Sequence, residues 1–160
     1  MPQTRLVTLV LALIFCLASS ATAGVRDERR TLVGSELLGR GGLITFNLEY
    51  FLNNNFGLGG GVLAAGNGDG GFLILPLYLS VVPGDVHSVY LGTGLTMFAG
   101  TDFGDTDSFT LLTVSVGYQY HSYGGLFVRP TFTLMIATEE TTGDSAEAIL
   151  WPGVTIGGSF

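Results

Sequence analysis

The sequence has no lysine, and its only cysteine is Cys16. Without clustered Lys and Arg, nucleic acid is excluded as a partner, because phosphate backbones are held by such clusters. A single cysteine excludes an intrachain disulfide and any metal site built from several thiolates. Phe15 immediately before Cys16 argues against a lipoprotein cysteine, since those sites follow small residues. Long apolar runs are also missing. The longest, Leu6 to Leu17, has twelve residues including one Thr, whereas a membrane-spanning helix needs roughly 20. The glycines show no period of three, which excludes a collagen helix.

Glycine and apolar residues are what the chain has in quantity. Of 160 residues, 25 are Gly and 47% are hydrophobic. Gly weakens helices, and the Ala-, Leu-, Glu- and Lys-rich segments that favour them are absent, so closely packed strands are expected.

Residues 1–23 carry the three parts of a secretory signal. Arg5 makes the n-region positive, Leu6 to Leu17 form the apolar core, and Ala21-Thr22-Ala23 places small residues at −3 and −1. Cleavage is expected to leave Gly24 as the new N-terminus. Residues 24–30 then form a charged periplasmic lead-in, and 31–160 the folded domain. Losing Arg5 leaves 5 arginines against 13 acidic residues, a net charge of −8.

From Thr31 onward the apolar residues alternate, as strands with two different faces require. Ile44, Phe46, Leu48, Tyr50 and Leu52 oppose Thr45, Asn47 and Glu49. Leu112, Val114, Val116, Tyr118 and Tyr120 oppose Thr113, Ser115, Gly117 and Gln119, while Leu126, Val128, Pro130, Phe132, Leu134 and Ile136 oppose Arg129, Thr131 and Thr133. Val89, Leu91, Leu95 and Met97 oppose Ser88, Gly92, Gly94 and Thr96, and Val154, Ile156 and Phe160 oppose Gly153, Thr155, Gly157 and Ser159. In the nearly all-apolar stretch from Phe72 to Val82, the odd-numbered residues from Leu73 to Val81 are assigned to lipid and Ile74, Pro76, Tyr78 and Ser80 to the interior. A bulge is expected at Pro76, which has no N–H to donate.

Eight strands are expected, over 31–39, 42–52, 55–66, 71–82, 86–99, 108–121, 125–137 and 147–160. A soluble sandwich would alternate as well, so the connectors decide. Asn53-Asn54, Pro83 to Asp85 and His121 to Gly124 are short. Asn67 to Gly70, Gly100 to Asp107 and Thr138 to Ala146 are longer. From a periplasmic N-terminus, every short connector falls on the periplasmic side and the longer ones outside, as in outer-membrane barrels. The expected fold is all-β: a transmembrane antiparallel β-barrel of about eight strands in an up-and-down meander. The turn Gly39-Arg40-Gly41-Gly42 closes the first hairpin. Phe160, with Ile156 and Val154 at alternate positions, fits the aromatic insertion signal read by the barrel-assembly machinery.

With Glu36 to Leu43, Asn47-Leu48-Glu49, Gly117-Tyr118-Gln119-Tyr120, Gly124 to Arg129, and Trp151 to Gly157 leading to Phe160, the chain resembles the small outer-membrane β-barrel proteins of Gram-negative bacteria whose function is unassigned. The resemblance spans nearly the whole mature chain. It implies location and fold and brings no agreed activity. In such proteins the Gly-Tyr element is often followed by a basic residue, where this chain has Gln119.

The candidate site residues lie on the inner phase. Arg129 and Glu49 face inward, and Glu36 joins them if its strand keeps the same phase. Eight strands leave an interior just wide enough for side chains, and charges inside must pair. A structural set of ion pairs is therefore expected in preference to an ion relay, with Glu49 favoured over Glu36 as the partner of Arg129. The inner glycines Gly57, Gly59, Gly61, Gly92 and Gly94 either open a cavity or make room for bulky residues such as Tyr90 and Phe127. His121 and Ser122 are expected at a periplasmic turn and not in a hydrolase triad. The outer loops are acidic, with Asp102, Asp105 and Asp107 in one and Glu139, Glu140, Asp144 and Glu147 around another. They would lie next to outer-membrane lipid and lipopolysaccharide.

No catalytic residue, cofactor or metal site is assigned. The leading expectation is an envelope protein that is structural or presents its loops. A lumen-based binder or narrow transporter comes second, and a lipid-modifying enzyme third. A closed barrel keeps its backbone paired in detergent until heated, so boiled and unboiled samples should run differently on a gel. Identical mobility would remove the barrel reading.

Overall fold

The computed structural model describes residues 25–66, 70–102, 105–137 and 148–160, with the side chains of 102, 105 and 106 outside the description. The expected signal peptide, including Cys16, and the connector from Thr138 to Ala146 lie outside the described residues. Eight strands follow one another: β1 (Thr31–Leu38), β2 (Ile44–Phe51), β3 (Phe56–Gly66), β4 (Gly70–Val81), β5 (His87–Asp102), β6 (Asp105–His121), β7 (Leu126–Ala137) and β8 (Ala148–Ser159). Each pairs antiparallel with the next. The sheet closes where β1 meets β8, from Leu32 opposite Ser159 to Leu38 opposite Gly153. Thr31 and Phe160 exchange backbone hydrogen bonds of 3.1 and 2.9 Å at the end of that seam. Closure leaves no sheet edge, which is what lets strands stand in lipid.

The alternation read from the sequence maps onto outside and inside. Along β2, Ile44, Phe46, Leu48 and Tyr50 are exposed while Thr45, Asn47, Glu49 and Phe51 are buried. Along β7, Phe127, Arg129, Thr131, Thr133 and Met135 are buried. The outer surface is consequently a belt of Leu, Val, Ile and Phe. His87, Tyr118 and Tyr120 cluster on the outer phase near the short-turn end, and Tyr50, Tyr123 and Phe160 are exposed there too. Aromatic girdles of this kind mark a membrane interface.

The short turns have local causes. Asn53 Oδ1 accepts from the backbone N–H groups of Asn55 and Phe56, each at 2.9 Å, an Asx turn that fixes the β2–β3 reversal. Gly125 closes the β6–β7 turn at φ +94°, a conformation that suits glycine.

Three expectations are corrected. No bulge forms at Pro76. Its pairing with Thr96 of β5 sits in an unbroken ladder, and on the β3 side the ladder lapses between Gly60–Leu77 and Leu63–Ile74 without a register change. Dropping rungs there absorbs the missing N–H. The connector expected over Gly100 to Asp107 is mostly strand, because β5 and β6 stay paired up to Asp102–Asp105 and the hairpin projects past the apolar belt. The lead-in is more than charged spacer. Val25–Glu28 forms a single helical turn, α1, with Val25 and Arg26 buried.

Val116 lies on the outer phase of β6, paired with Phe132 and 52% exposed. Val116→Arg should prevent stable insertion, at a cost of roughly 2–4 kcal/mol near the midplane. Ser115→Ala, which removes one interior hydroxyl contact, should cost about 1 kcal/mol and leave insertion intact. The heat-dependent gel shift measures both; equal tolerance at the two positions would mean the faces are reversed.

Candidate functional site

The interior is built around buried charge. Arg129, mid-strand on β7, donates from Nη2 to Glu49 Oε2 at 2.6 Å and from Nε to Gln119 Oε1 at 2.8 Å. Glu49 also accepts a short hydrogen bond from Ser80 Oγ through its second oxygen. Arg129 and Glu49 are 1% and 2% exposed. Gln119 supplies the acceptor for the Arg129 Nε–H.

Glu36 keeps the inner phase and is fully buried, but its partner is not Arg129. Arg40 Nε lies 3.5 Å from Glu36 Oε1. Thr45 Oγ1 and Asn47 Nδ2 donate to Glu36 Oε2 at 3.5 and 3.3 Å. Arg40 belongs to the first outer turn, where Gly39–Gly41 forms one 3-10 turn. That turn folds into the barrel and buries the guanidinium 3.6 Å above the Tyr78 ring. Strained backbone makes this possible: Leu38 sits at φ 58°, and Gly39 and Gly42 at φ +73° and +79°. A Leu at positive φ is held only where its surroundings enforce it.

A third arginine enters from the opposite end. Arg26 of α1 donates to the carbonyls of Asn54, Val82 and Gly84 at 2.8, 2.7 and 3.1 Å, to that of Asp85 at 3.1 Å, and to Ser88 Oγ at 2.7 Å. Val25 N–H donates to Asp85 Oδ1 at 2.5 Å. Burial first, and the positive charge of Arg129 second, lower the Arg26 guanidinium to about 10, so it remains cationic at neutral pH.

Three guanidiniums thus occupy the interior, interleaved with aromatic rings. Arg129 is 4.1 Å and Arg40 5.6 Å from the Tyr90 ring centre, and Arg26 is 5.2 Å from that of Phe51. Desolvated cation–π contacts of this type are each worth about 2 kcal/mol. The inner glycines make room for the rings. A Cβ at Gly59 would come within 2.3 Å of Tyr78, and one at Gly92 within 2.6 Å of the Tyr90 hydroxyl. Between the two readings of these glycines, the structure holds the one in which they accommodate bulk.

The sequence reading named Arg129, Glu49 and Glu36 and missed Arg40 and Arg26. A charge count held the missing signal. Two inner-phase carboxylates faced one inner-phase arginine, and beyond the lead-in the only other arginine is Arg40. For Arg26, the neighbouring Val25 was the sole hint.

His121 and Ser122 are not brought together as a pair. His121 Nε2 lies 2.7 Å from Ser159 Oγ, which itself donates to the Gly125 carbonyl at 3.1 Å. Ser122 Oγ accepts from Leu126 N–H at 3.0 Å and braces the turn. His87 sits on the outer face against the Tyr118 hydroxyl. Phe160 is exposed, facing outward in phase with Ile156. Glu139, Glu140, Asp144 and Glu147 lie outside the described residues, as do the side chains of Asp102 and Asp105. Among the described residues no group of three His, Cys, Asp or Glu is placed to hold a metal ion.

Neither a protein-family model nor a curated protein sequence matches this chain. Among solved structures, the N-terminal β-barrel domain of Pseudomonas aeruginosa OprF is similar at a TM-score of 0.57 and 14% identity, over 80% of this chain and 95% of that one. Ail of Yersinia pestis, the attachment invasion locus protein, is similar at 0.44 and 18% in its complex with the heparin analogue sucrose octasulfate, over 81% and 95%. Ail without that ligand gives 0.40 and 16%, over 81% and 92%. The fold is that of the eight-stranded bacterial outer-membrane barrels. At these identities the likeness concerns fold alone.

Arg129→Ala should destabilise the barrel by roughly 3–5 kcal/mol, because it strands a buried carboxylate. The double change Arg129→Ala with Glu49→Ala should cost less than the two single changes together. Arg129→Ala with Glu36→Ala should be close to additive. Unfolding in urea from detergent or lipid measures all five proteins, and additivity in the Glu49 pair would remove that ion pair from the account.

Proposed function

We propose that the chain is a bacterial outer-membrane protein, exported with a cleaved signal over residues 1–23, whose barrel is a sealed, non-catalytic envelope element that presents its outer end to the surroundings. The observation that carries this is the double plug. Arg40 fills the lumen from the outer turn, Arg26 fills it from the short-turn end, and the Arg129–Glu49 pair lies between them. An eight-stranded interior is just wide enough for side chains to fill, and these arginines and rings occupy it along its length. A transport role loses support for that reason, and a lipid-modifying role loses support because Ser122 braces a turn and does not meet His121.

The proposed partners follow from the surface. The apolar belt suits outer-membrane lipid, and the acidic outer loops would lie beside lipopolysaccharide. The outward phase of Phe160, Ile156 and Val154 suits recognition by the barrel-assembly machinery during insertion.

Planar-bilayer recording tests the seal. The wild-type protein should give no steady channel conductance. Arg40→Gly combined with Arg26→Gly should give small, frequent openings, since both plugs lose their side chains while the Arg129–Glu49 pair stays. Steady wild-type conductance would overturn the sealed-barrel reading.

A further inference from the structure

Along three adjacent strands the inner face changes character toward the outer end. On β4 it runs Ser80, Tyr78, Pro76, Ile74, Phe72. On β5, Thr96 is followed by Phe98, and on β6, Thr113 by Leu111 and Phe109. Hydroxyls and charges line the barrel below, and aromatic rings line its mouth. The rings stand around a cavity of about 540 Å³, walled by Leu43, Phe72, Ile74, Phe98 and Phe109, with Asp107 at the rim. Phe98 and Phe109 stack at 4.7 Å with planes 7° apart. Phe72 and Phe109 are 41% and 47% exposed, so their apolar area faces open space.

The floor separates this cavity from the charged lumen. Gly41 and Gly42 of the inward-folded turn form it, and Trp151 Nε1 donates to the Gly42 carbonyl at 3.2 Å. Arg40 lies against Tyr78 and is not among the residues lining the cavity. Among the described lining residues the only ionisable group is the Asp107 carboxylate.

We propose that this mouth is a binding site for a lipophilic cation, a molecule with a bulky apolar body and one positively charged head. The volume falls within the range of small-molecule sites, roughly 300–1,000 Å³. Burying a ligand's apolar body against the exposed phenylalanines is favourable by area, and aromatic faces attract cations and not anions. Asp107 supplies the matching charge at the rim, and the net charge of the whole chain, −7, concentrates cations and repels anions. The floor makes this a binding site without a passage, so the inference stands apart from the sealed-lumen reading and uses a different readout.

Two ions of the same shape and opposite charge provide the test: tetraphenylphosphonium and tetraphenylborate, titrated into the full protein in nanodiscs, with empty nanodiscs as reference. Equilibrium dialysis gives the binding, and the fluorescence of Trp151, the only tryptophan, reports on the cavity floor. Tetraphenylphosphonium should bind saturably at one site, and tetraphenylborate should only partition into lipid. Gly100 borders the cavity, and a Cβ there would meet nothing nearer than the Gly71 carbonyl at 3.8 Å. Gly100→Phe should therefore fill the mouth and abolish saturable binding while keeping the heat-dependent gel shift. Asp107→Asn, at an exposed position outside the packed interior, should weaken binding about threefold, the worth of one exposed ion pair. Equal binding to empty nanodiscs, equal binding by Gly100→Phe, or no change in Asp107→Asn would each overturn the proposal. Preference for tetraphenylborate would overturn it in favour of an anionic amphiphile.

Discussion

An ion pair shut off from water, Arg129 with Glu49, sets the terms for the rest of the interior. Two charges taken out of solvent are tolerated only when their remaining hydrogen-bonding capacity is met. The neighbouring inner positions meet it: Gln119 accepts from Arg129, and Ser80 donates to Glu49. The rings of Tyr90 and Phe127 flank the same guanidinium, and Gly92 on the Tyr90 strand and Gly34 and Gly157 beside Phe127 leave them the space. The inner glycines Gly57, Gly59 and Gly92 follow from fitting this pair and its flanking side chains into an eight-stranded interior, since a Cβ at each would meet Glu49, Ser80, Tyr78 or Tyr90.

The same electrostatic demand explains why two segments outside the strands turn inward. Glu36, buried without Arg129 to neutralise it, needs a cation from elsewhere. The first outer turn delivers Arg40 by folding into the barrel, at the cost of a positive φ at Leu38. At the other end, the carbonyls of the short turns between β2 and β3 and between β4 and β5 converge around a gap that the Arg26 guanidinium fills. A guanidinium has five N–H donors in a fixed fork, which suits a ring of backbone oxygens better than an ammonium would.

Above the inward turn, the barrel wall continues where β5 and β6 rise past the apolar belt. Their inner positions no longer face packed charge. Rings replace hydroxyls there, and the first turn becomes a floor between two chemically different compartments. Trp151 ties that floor to β8, so one residue of the C-terminal strand holds both the upper edge of the lumen and the base of the mouth.

How much of this could be read from the chain follows from the range of each interaction. Strand count and faces were legible, because alternation is written in neighbouring residues; the order of short and long connectors was not, since β3 and β4 and β5 and β6 are joined over fewer residues than β4 and β5. The inward phase of Arg129 and Glu49 was legible for the same reason. Their pairing joins residues 80 positions apart, and only barrel closure brings β2 and β7 across one lumen. Arg40 was legible as part of a glycine-rich turn, yet nothing local says whether a turn folds outward to water or inward to a carboxylate. Pro76 broke a local rule without bulging, because closed neighbouring ladders hold the register that an isolated pair of strands would give up. The sequence by itself determined a two-faced chain of strands. The tertiary structure decided which charges meet, because the energy of a buried ion depends on what closes around it.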